Sequence, residues 1–132
     1  MKRILSVLLL ILAIIGLCSC GNKKSTVILD NSEKSYFVDF YTEGDSVYIE
    51  CVLNIYSGSD TEATIGAVDT DNVKSGLLKS PALTGIDKSD MDETFSLLAG
   101  ENEVTVLFKG EYAGIFNIDK REIPRFIDIT AK

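Results

Sequence analysis

The sequence predicts an all-β protein, an immunoglobulin-like antiparallel β-sandwich of about seven strands that follows an N-terminal signal peptide. Three observations support this fold. No long segment after residue 20 has the 3.6-residue period of a helix, short runs alternate between apolar and polar residues, and turn-forming residues recur about every 8 to 12 positions. Such alternation favours antiparallel sheets with one solvated face. A small β-barrel is the alternative, because its strands alternate in the same way.

The first predicted strands lie between residues 36 and 68. Tyr36 to Thr42 is rich in aromatic and β-branched residues, and "EGD" at 43–45 has turn chemistry. Ser46 to Tyr56 alternates most clearly, and a further strand from Thr61 to Val68 follows the turn "SGSD". The residues of the second strand that we expect to face the core are Val47, Ile49, Cys51, Leu53 and Ile55.

The second half of the chain is less regular, because residues 69–92 mix proline, glycine and several acids with short apolar runs. Strands are predicted at Val73 to Leu78, Thr94 to Leu98, Glu103 to Lys109 and Arg125 to Thr130. The turn "AGEN" separates the second of these from the third, and a long loop at 110–124 precedes the last. The inward-facing residues expected in the last two strands are Val104, Val106, Phe108, Ile127 and Ile129.

The first 19 residues have the layout of a secretory signal peptide. Lys2 and Arg3 form a short basic region, and residues 4–17 form an uncharged apolar run. Fourteen helical residues extend about 21 Å, which is short of the hydrocarbon core of about 30 Å. The length therefore favours a signal peptide over a transmembrane anchor.

The apolar run ends at two cysteines. Leu17-Cys18-Ser19-Cys20 resembles the lipobox of bacterial lipoproteins, in which an aliphatic residue and a small residue precede the modified cysteine. The resemblance implies cleavage after Ser19 and a diacylglyceryl thioether on Cys20. Two acyl chains anchor a protein stably in a membrane, whereas one chain holds only marginally. The alternative is that both cysteines are small buried hydrophobic residues.

These assignments divide the chain into a signal peptide at 1–19, a lipidated tether at 20–25 and a β-sandwich domain at 26–132. Loss of the signal peptide removes two basic residues and no acid, so Lys and Arg fall from 13 to 11 against 20 Asp and Glu, and the net charge changes from −7 to −9. An acidic domain lacks the basic surface that nucleic-acid binding needs. We expect the protein at the cell membrane, lipid-anchored and facing outside the cytoplasm.

No motif indicates an enzyme. The chain has no histidine, which excludes His-based triads and the common catalytic zinc sites. It also lacks a phosphate-binding loop and a nucleophile elbow. Acidic groups at 69–72 and 87–93 offer the oxygen ligands that calcium prefers, but neither has the spacing of a calcium-binding loop. We expect no enzymatic activity, no cofactor and no bound metal, and we expect Cys51 to be a core residue.

The loop "GEYAGIFNIDKREIP" at 110–124 is the candidate interaction site. It combines aromatic residues with nearby arginines, which is the composition of interface hot spots. The residues concerned are Tyr112, Phe116, Arg121 and Arg125. The alternative is that Phe116 and Ile118 fold back and close one end of the core.

Two segments, "FSLLAGENEVTVLFKGEYAG" at 95–114 and "REIPRFIDI" at 121–129, are similar to the C-terminal half of small uncharacterised lipoproteins of Gram-positive bacteria. The resemblance implies location and fold but no chemistry. The expected function is a lipid-anchored extracytoplasmic binding or interaction module of the cell envelope, with an unknown protein or envelope ligand. The alternatives are an envelope structural or self-assembling protein and a small carboxylate- or calcium-dependent enzyme.

Overall fold

A computed structural model describes residues 27–29, 34–116 and 122–132. Within these residues there are eight strands and one short helix. The strands are β1 Val27–Leu29, β2 Tyr36–Glu43, β3 Ser46–Ser57, β4 Thr61–Val68, β5 Ala82–Asp87, β6 Thr94–Leu97, β7 Gly100–Glu111 and β8 Phe126–Ala131, and the helix α1 is Thr70–Lys74. None of the described helical residues forms a segment long and apolar enough to span a bilayer.

All eight strands belong to one antiparallel sheet. The strand order is β1–β3–β7–β5–β4–β6, with β2 also paired to β3 and β8 also paired to β4. β5 joins the two halves of the sheet, because its residues 82–84 pair with β4 and its residues 84–87 pair with β7. The sheet therefore curls into a half-barrel, and β1 approaches β8 where its two ends meet. The predicted all-β, antiparallel fold is confirmed, and its two halves form one continuous sheet.

The core fills the inside of the curled sheet. The predicted inward face of β3 is buried from Val47 to Ile55, with every second side chain at 1 % exposure or less. Strands from both halves complete the same cluster with Ala63, Ile65, Ala67, Leu83, Phe95, Leu97, Val106 and Phe108. Val104, Ile127 and Ile129 pack against this cluster and are partly buried. The alternation in the sequence therefore predicted correctly which residues face the core.

The predicted strand at Val73 to Leu78 is wrong, because α1 includes Val73 and Lys74 and the chain then turns through residues 75–77 to a single β-bridge between Leu78 and Tyr112. Asp69 caps the helix: its Oδ1 accepts a hydrogen bond from the Asn72 amide at 3.1 Å, and its Oδ2 accepts one from Asn72 Nδ2 at 2.6 Å. An acidic cap satisfies amides that a helix start leaves unpaired. The apolar pair that suggested a strand, Leu77 and Leu78, follows the helix and is fully buried in the core.

β5 has no counterpart among the predicted strands. Pro81 directly precedes this strand and Gly85 lies within it, and both resemble loop residues. The structure explains why residue 85 is a glycine, since a Cβ atom at this position would lie 2.4 Å from the carbonyl oxygen of Ile65. The glycine permits the close approach with which β5 passes from one half of the sheet to the other.

Candidate functional site

The structure describes three of the predicted interaction residues, Tyr112, Phe116 and Arg125. Ser19, Cys20 and Arg121 lie outside the described residues, as do Ile118 and the whole signal peptide. Cleavage after Ser19, lipidation of Cys20 and the contribution of Arg121 therefore stay predictions.

Residues 112–116, the apical segment, are held on the body of the domain by backbone hydrogen bonds. The Tyr112 amide donates to the Asp45 carbonyl at 2.8 Å, the Ala113 amide to Leu77 at 2.8 Å and the Ile115 amide to Gly76 at 3.2 Å. The Tyr112 hydroxyl donates to the Gly114 carbonyl at 3.1 Å, which closes the turn from within. These hydrogen bonds hold the backbone of the apical segment against Asp45, Gly76 and Leu77.

Two large apolar side chains of the apical segment are exposed. Phe116 stacks on Phe40 with ring centroids 5.0 Å apart, yet 59 % of Phe116 remains accessible. Ile115 is 57 % accessible, although its Cδ1 lies only 2.6 Å from the place a Cβ of Gly76 would occupy. Phe116 therefore contacts the core residue Phe40 and also presents apolar surface to solvent.

Arg125 lies beside the start of α1. Its Nη1 is 3.9 Å from Asp71 Oδ2, and its Nε is 3.8 Å from Glu122 Oε1. With Asp69 and Ile123 these residues line a small polar pocket. The guanidinium charge thus has acidic partners within the protein. Arg125 lies against the side chain of Asp71 in α1, and it is not one of the residues of the apical segment.

The acidic run at 87–93 is organised as a series of turns. Asp87 Oδ1 accepts hydrogen bonds from the Ser89 amide at 3.0 Å and from the Ser89 hydroxyl at 2.7 Å. Asp90 and Asp92 accept from the amides two residues further along the chain, at 3.0 and 3.3 Å. Aspartates commonly stabilise turns by such bonds. Across the described residues, no three metal-ligating side chains come together.

A cleft separates β6 from β7, although only Leu98 and Ala99 connect the two strands. β6 pairs with β4, and β7 pairs with β3, so the strands diverge into different halves of the sheet. The space between them, here called the β6–β7 cleft, has a volume of about 430 Å³. Its walls are Ser96 of β6, residues 103–105 of β7 and residues 87–89 of the acidic run.

Asn102 of β7 bonds to the backbone of the connection that closes one end of the cleft. Its Oδ1 accepts from the Leu98 amide at 2.9 Å, and its Nδ2 donates to the Leu98 carbonyl at 2.8 Å. The same Nδ2 also lies 3.1 Å from the Gly100 carbonyl and 3.3 Å from the Ile55 carbonyl. One side chain thus satisfies backbone groups that a tight hairpin would pair directly. The sequence interpretation missed this feature, because a strand's alternation does not indicate which strand it pairs with.

The charges around the β6–β7 cleft are mostly negative. Asp87 and Glu103 stand on its walls. The neighbouring cation, Lys88, contacts both Glu50 carboxylate oxygens at 2.9 and 3.0 Å. Since Glu50 balances the charge of Lys88, the two acids set the local sign of the potential.

Cys51 has the role predicted for it. Its side chain is fully buried in β3, opposite Val106 of β7. Burial, with a smaller contribution from Glu50, raises the pKa of the Cys51 thiol to about 12. A thiol with this pKa is protonated and unreactive at neutral pH.

Comparisons with protein-family models, with curated proteins and with solved structures give no significant match to this chain.

Proposed function

We propose that this protein is a lipid-anchored, non-enzymatic binding module on the outer side of a bacterial membrane. The anchor is the diacylglyceryl group on Cys20 that the Leu17–Cys20 sequence implies. Two acyl chains supply stable attachment, and Lys23 and Lys24 add attraction to anionic headgroups of about 1 kcal/mol each. The acidic domain is repelled by the same headgroups, so it extends away from the membrane.

The apical segment is the proposed contact surface for a protein or envelope ligand. The observation that carries this proposal is the exposure of Ile115 and Phe116 on a loop that four hydrogen bonds hold in place. A preorganised loop loses little conformational entropy when it binds, and an exposed aromatic side chain supplies the apolar area of a hot spot.

A structural or self-assembling role is the second candidate. It is favoured by the unpaired edge of β2, which in the described part of the chain pairs only with β3. Free strand edges pair readily with other chains. However, a register shift between Phe37 and Asp39 places a bulge in β2. Bulges interrupt edge-to-edge pairing, and we therefore favour the binding module.

Mass spectrometry of the protein extracted from its native membrane tests the anchor. The proposal predicts an N-terminal Cys20 that carries acyl mass, and predicts that Cys20→Ala moves the protein out of the membrane fraction. An intact Met1 on soluble material without added mass would contradict the anchor.

Site-specific photocrosslinking tests the contact surface. A photoreactive phenylalanine analogue at position 116 should give a discrete adduct with an envelope component in intact cells. Position 126 is the matched control, because Phe126 is also exposed, at 64 %, but lies at the start of β8. Equal labelling from both positions, or none from position 116, would contradict the apical segment as the contact.

A further inference from the structure

β6 and β7 follow each other in the chain but pair with different strands, so the β6–β7 cleft lies between two strands that do not pair with each other. The Cα atoms of β6 and β7 lie more than 8 Å apart at nearly all positions. Neighbouring strands lie about 4.8 Å apart, so one inserted strand needs a gap of about 10 Å. We propose that this cleft binds an extended, basic segment of another protein, which adds to the sheet between β6 and β7.

Both walls of the cleft include a strand edge with a single ladder partner. In the part of the chain that the structure describes, β6 pairs in a ladder with β4 alone, and residues 103–105 of β7 have β3 as their only ladder partner. Added strands bind chiefly through hydrogen bonds of the main chain, and they need such an edge. A segment between β6 and β7 would meet one strand edge on each side.

The orientation of β7 directs backbone groups into the cleft. The Lys88 amide donates to the Thr105 carbonyl at 3.1 Å, so Thr105 turns its backbone groups away from β3. Residues two apart on an antiparallel strand direct their N–H and C=O groups to the same side. The N–H and C=O of Glu103 therefore face the cleft, where they can pair with an added strand.

The charge on the walls selects a basic occupant. Asp87 and Glu103 flank the cleft, and Glu50 balances the nearby Lys88. Val104 points inward and packs against the core. Because successive side chains of a strand point to opposite faces, a segment that alternates basic and apolar residues fits best.

A second copy of this chain does not have that chemistry. The edge strands β2 and β8 have the sequences YFVDFYTE and FIDITA, and insertion of either would bring like charges together beside Asp87 and Glu103. The other edge strands, β1 with VIL and β6 with TFSL, are only three and four residues long and contain no basic residue. The occupant is therefore a different protein, and its surface differs from the apical segment proposed above.

The experiment uses the full-length chain in a non-ionic detergent and three fluorescent peptides. The first alternates Lys and Val, the second alternates Glu and Val, and the third is the Lys–Val peptide with N-methyl groups on one backbone edge. The Lys–Val peptide should bind, should weaken as salt rises, and should slow hydrogen exchange of the Glu103 amide. The Glu–Val peptide and the N-methylated peptide should bind at least about tenfold more weakly.

Charge reversal on the wall gives a second, independent test. Glu103→Lys should weaken the Lys–Val peptide about tenfold, because it replaces an attraction by a repulsion. Glu43→Lys is the matched control, since Glu43 is an exposed acid at the end of β2 and the substitution makes the same charge change. The control should bind within about twofold of the unsubstituted protein.

Three results would overturn the proposal. The first is equal binding of the N-methylated peptide, which would exclude strand addition. The second is an equal effect of Glu103→Lys and Glu43→Lys on peptide binding, which would show that the peptide responds to the net charge of the protein and not to the cleft. The third is a dimer, seen by sedimentation without peptide, in which the Glu103 amide is already protected, because a second copy would then fill the cleft.

Discussion

The two edges of β7 differ along the same twelve residues. On one edge every residue from Gly100 to Glu111 is paired with β3. On the other edge β5 pairs only with residues 106–109, and residues 103–105 border the β6–β7 cleft, where the Thr105 carbonyl accepts a hydrogen bond from the Lys88 amide. One strand thus has a sealed edge and an edge that is half open.

The difference separates stability from binding. The sealed edge lies in the β3–β7 ladder, where Phe108 faces Ile49 and Val106 faces Cys51 in the core. The open edge borders the β6–β7 cleft, whose walls are mostly polar, and Asn102 bonds to backbone groups of Leu98 at its closed end. We therefore expect substitutions at the sealed edge to change the free energy of unfolding, and substitutions at the open edge to change mainly recognition.

The largest effect is expected for Phe108→Ala in the sealed ladder. Removal of a fully buried phenylalanine leaves a cavity and should lower the free energy of unfolding by about 3–5 kcal/mol. Urea unfolding followed by circular dichroism measures this change. Phe126→Ala is the control, since this ring is mostly exposed and its loss should cost about 0.5 kcal/mol. Equal effects of the two substitutions would show that the β3–β7 ladder is not the stable part of the domain.

The next largest loss of stability is expected in β5, the strand that pairs with residues 106–109 on the second edge of β7. Gly85→Ala should lower the free energy of unfolding by about 1–3 kcal/mol, because its Cβ would meet the Ile65 carbonyl oxygen at 2.4 Å. Gly66→Ala is a milder counterpart, with 3.3 Å to the Leu83 carbonyl oxygen. The midpoints of urea unfolding compare them. A smaller loss for Gly85→Ala than for Gly66→Ala would contradict the close approach of β5 and β4.

The pH dependence of stability reports how tightly the sealed edge excludes water. The folded pKa of Cys51 is about 12, above the value of about 8.5 in an unfolded chain. The protonated thiol therefore stabilises the fold below pH 8.5, and this contribution is lost as the pH rises towards 12. Over that interval the free energy of unfolding should fall about 1.4 kcal/mol per pH unit more steeply than in Cys51→Ala. Parallel pH profiles for the two proteins would mean that the thiol is not desolvated.

The smallest effect is expected at the closed end of the cleft. Asn102→Ala removes hydrogen bonds to Leu98 from a partly exposed site and should lower the free energy of unfolding by about 1 kcal/mol. Hydrogen exchange should become faster at the Leu98 amide and stay unchanged at Val104, which lies in the β3 ladder. Unchanged exchange at Leu98 would show that the Asn102 side chain does not protect the Leu98 amide.

The sequence predicted the parts of this fold that depend on local patterns. β3 was correct from Ser46 onward because its core face repeats every second residue, and β4 was correct over Thr61–Val68. β2, β6, β7 and β8 were recognised with errors of one to three residues at their ends. α1 is only five residues long, which is too short to show a helical period. β5 was missed because it contains Gly85. This glycine is explained by the close approach of Ile65 in another strand, and local sequence patterns do not contain that information.

The candidate site also has a part that local sequence patterns indicated and a part that depends on contacts between distant residues. Aromatic residues in a predicted loop indicated the apical segment, and Phe116 is indeed exposed there. Arg125 was grouped with it by closeness in sequence, but the structure pairs it with Asp71 and Glu122. The β6–β7 cleft was missed because the turn "AGEN" resembles an ordinary hairpin. Only the pairing partners of the two strands show that they separate.

Hydrogen exchange of neighbouring amides in β7 of the free protein tests the contrast between the two edges most directly. The Val104 amide faces β3, and the Glu103 amide faces the cleft, although the residues are adjacent in one strand. Val104 should exchange only with global unfolding, and Glu103 should exchange orders of magnitude faster, at a rate set by local exposure. Equally slow exchange at both positions would contradict an open edge and would remove the basis for a binding cleft.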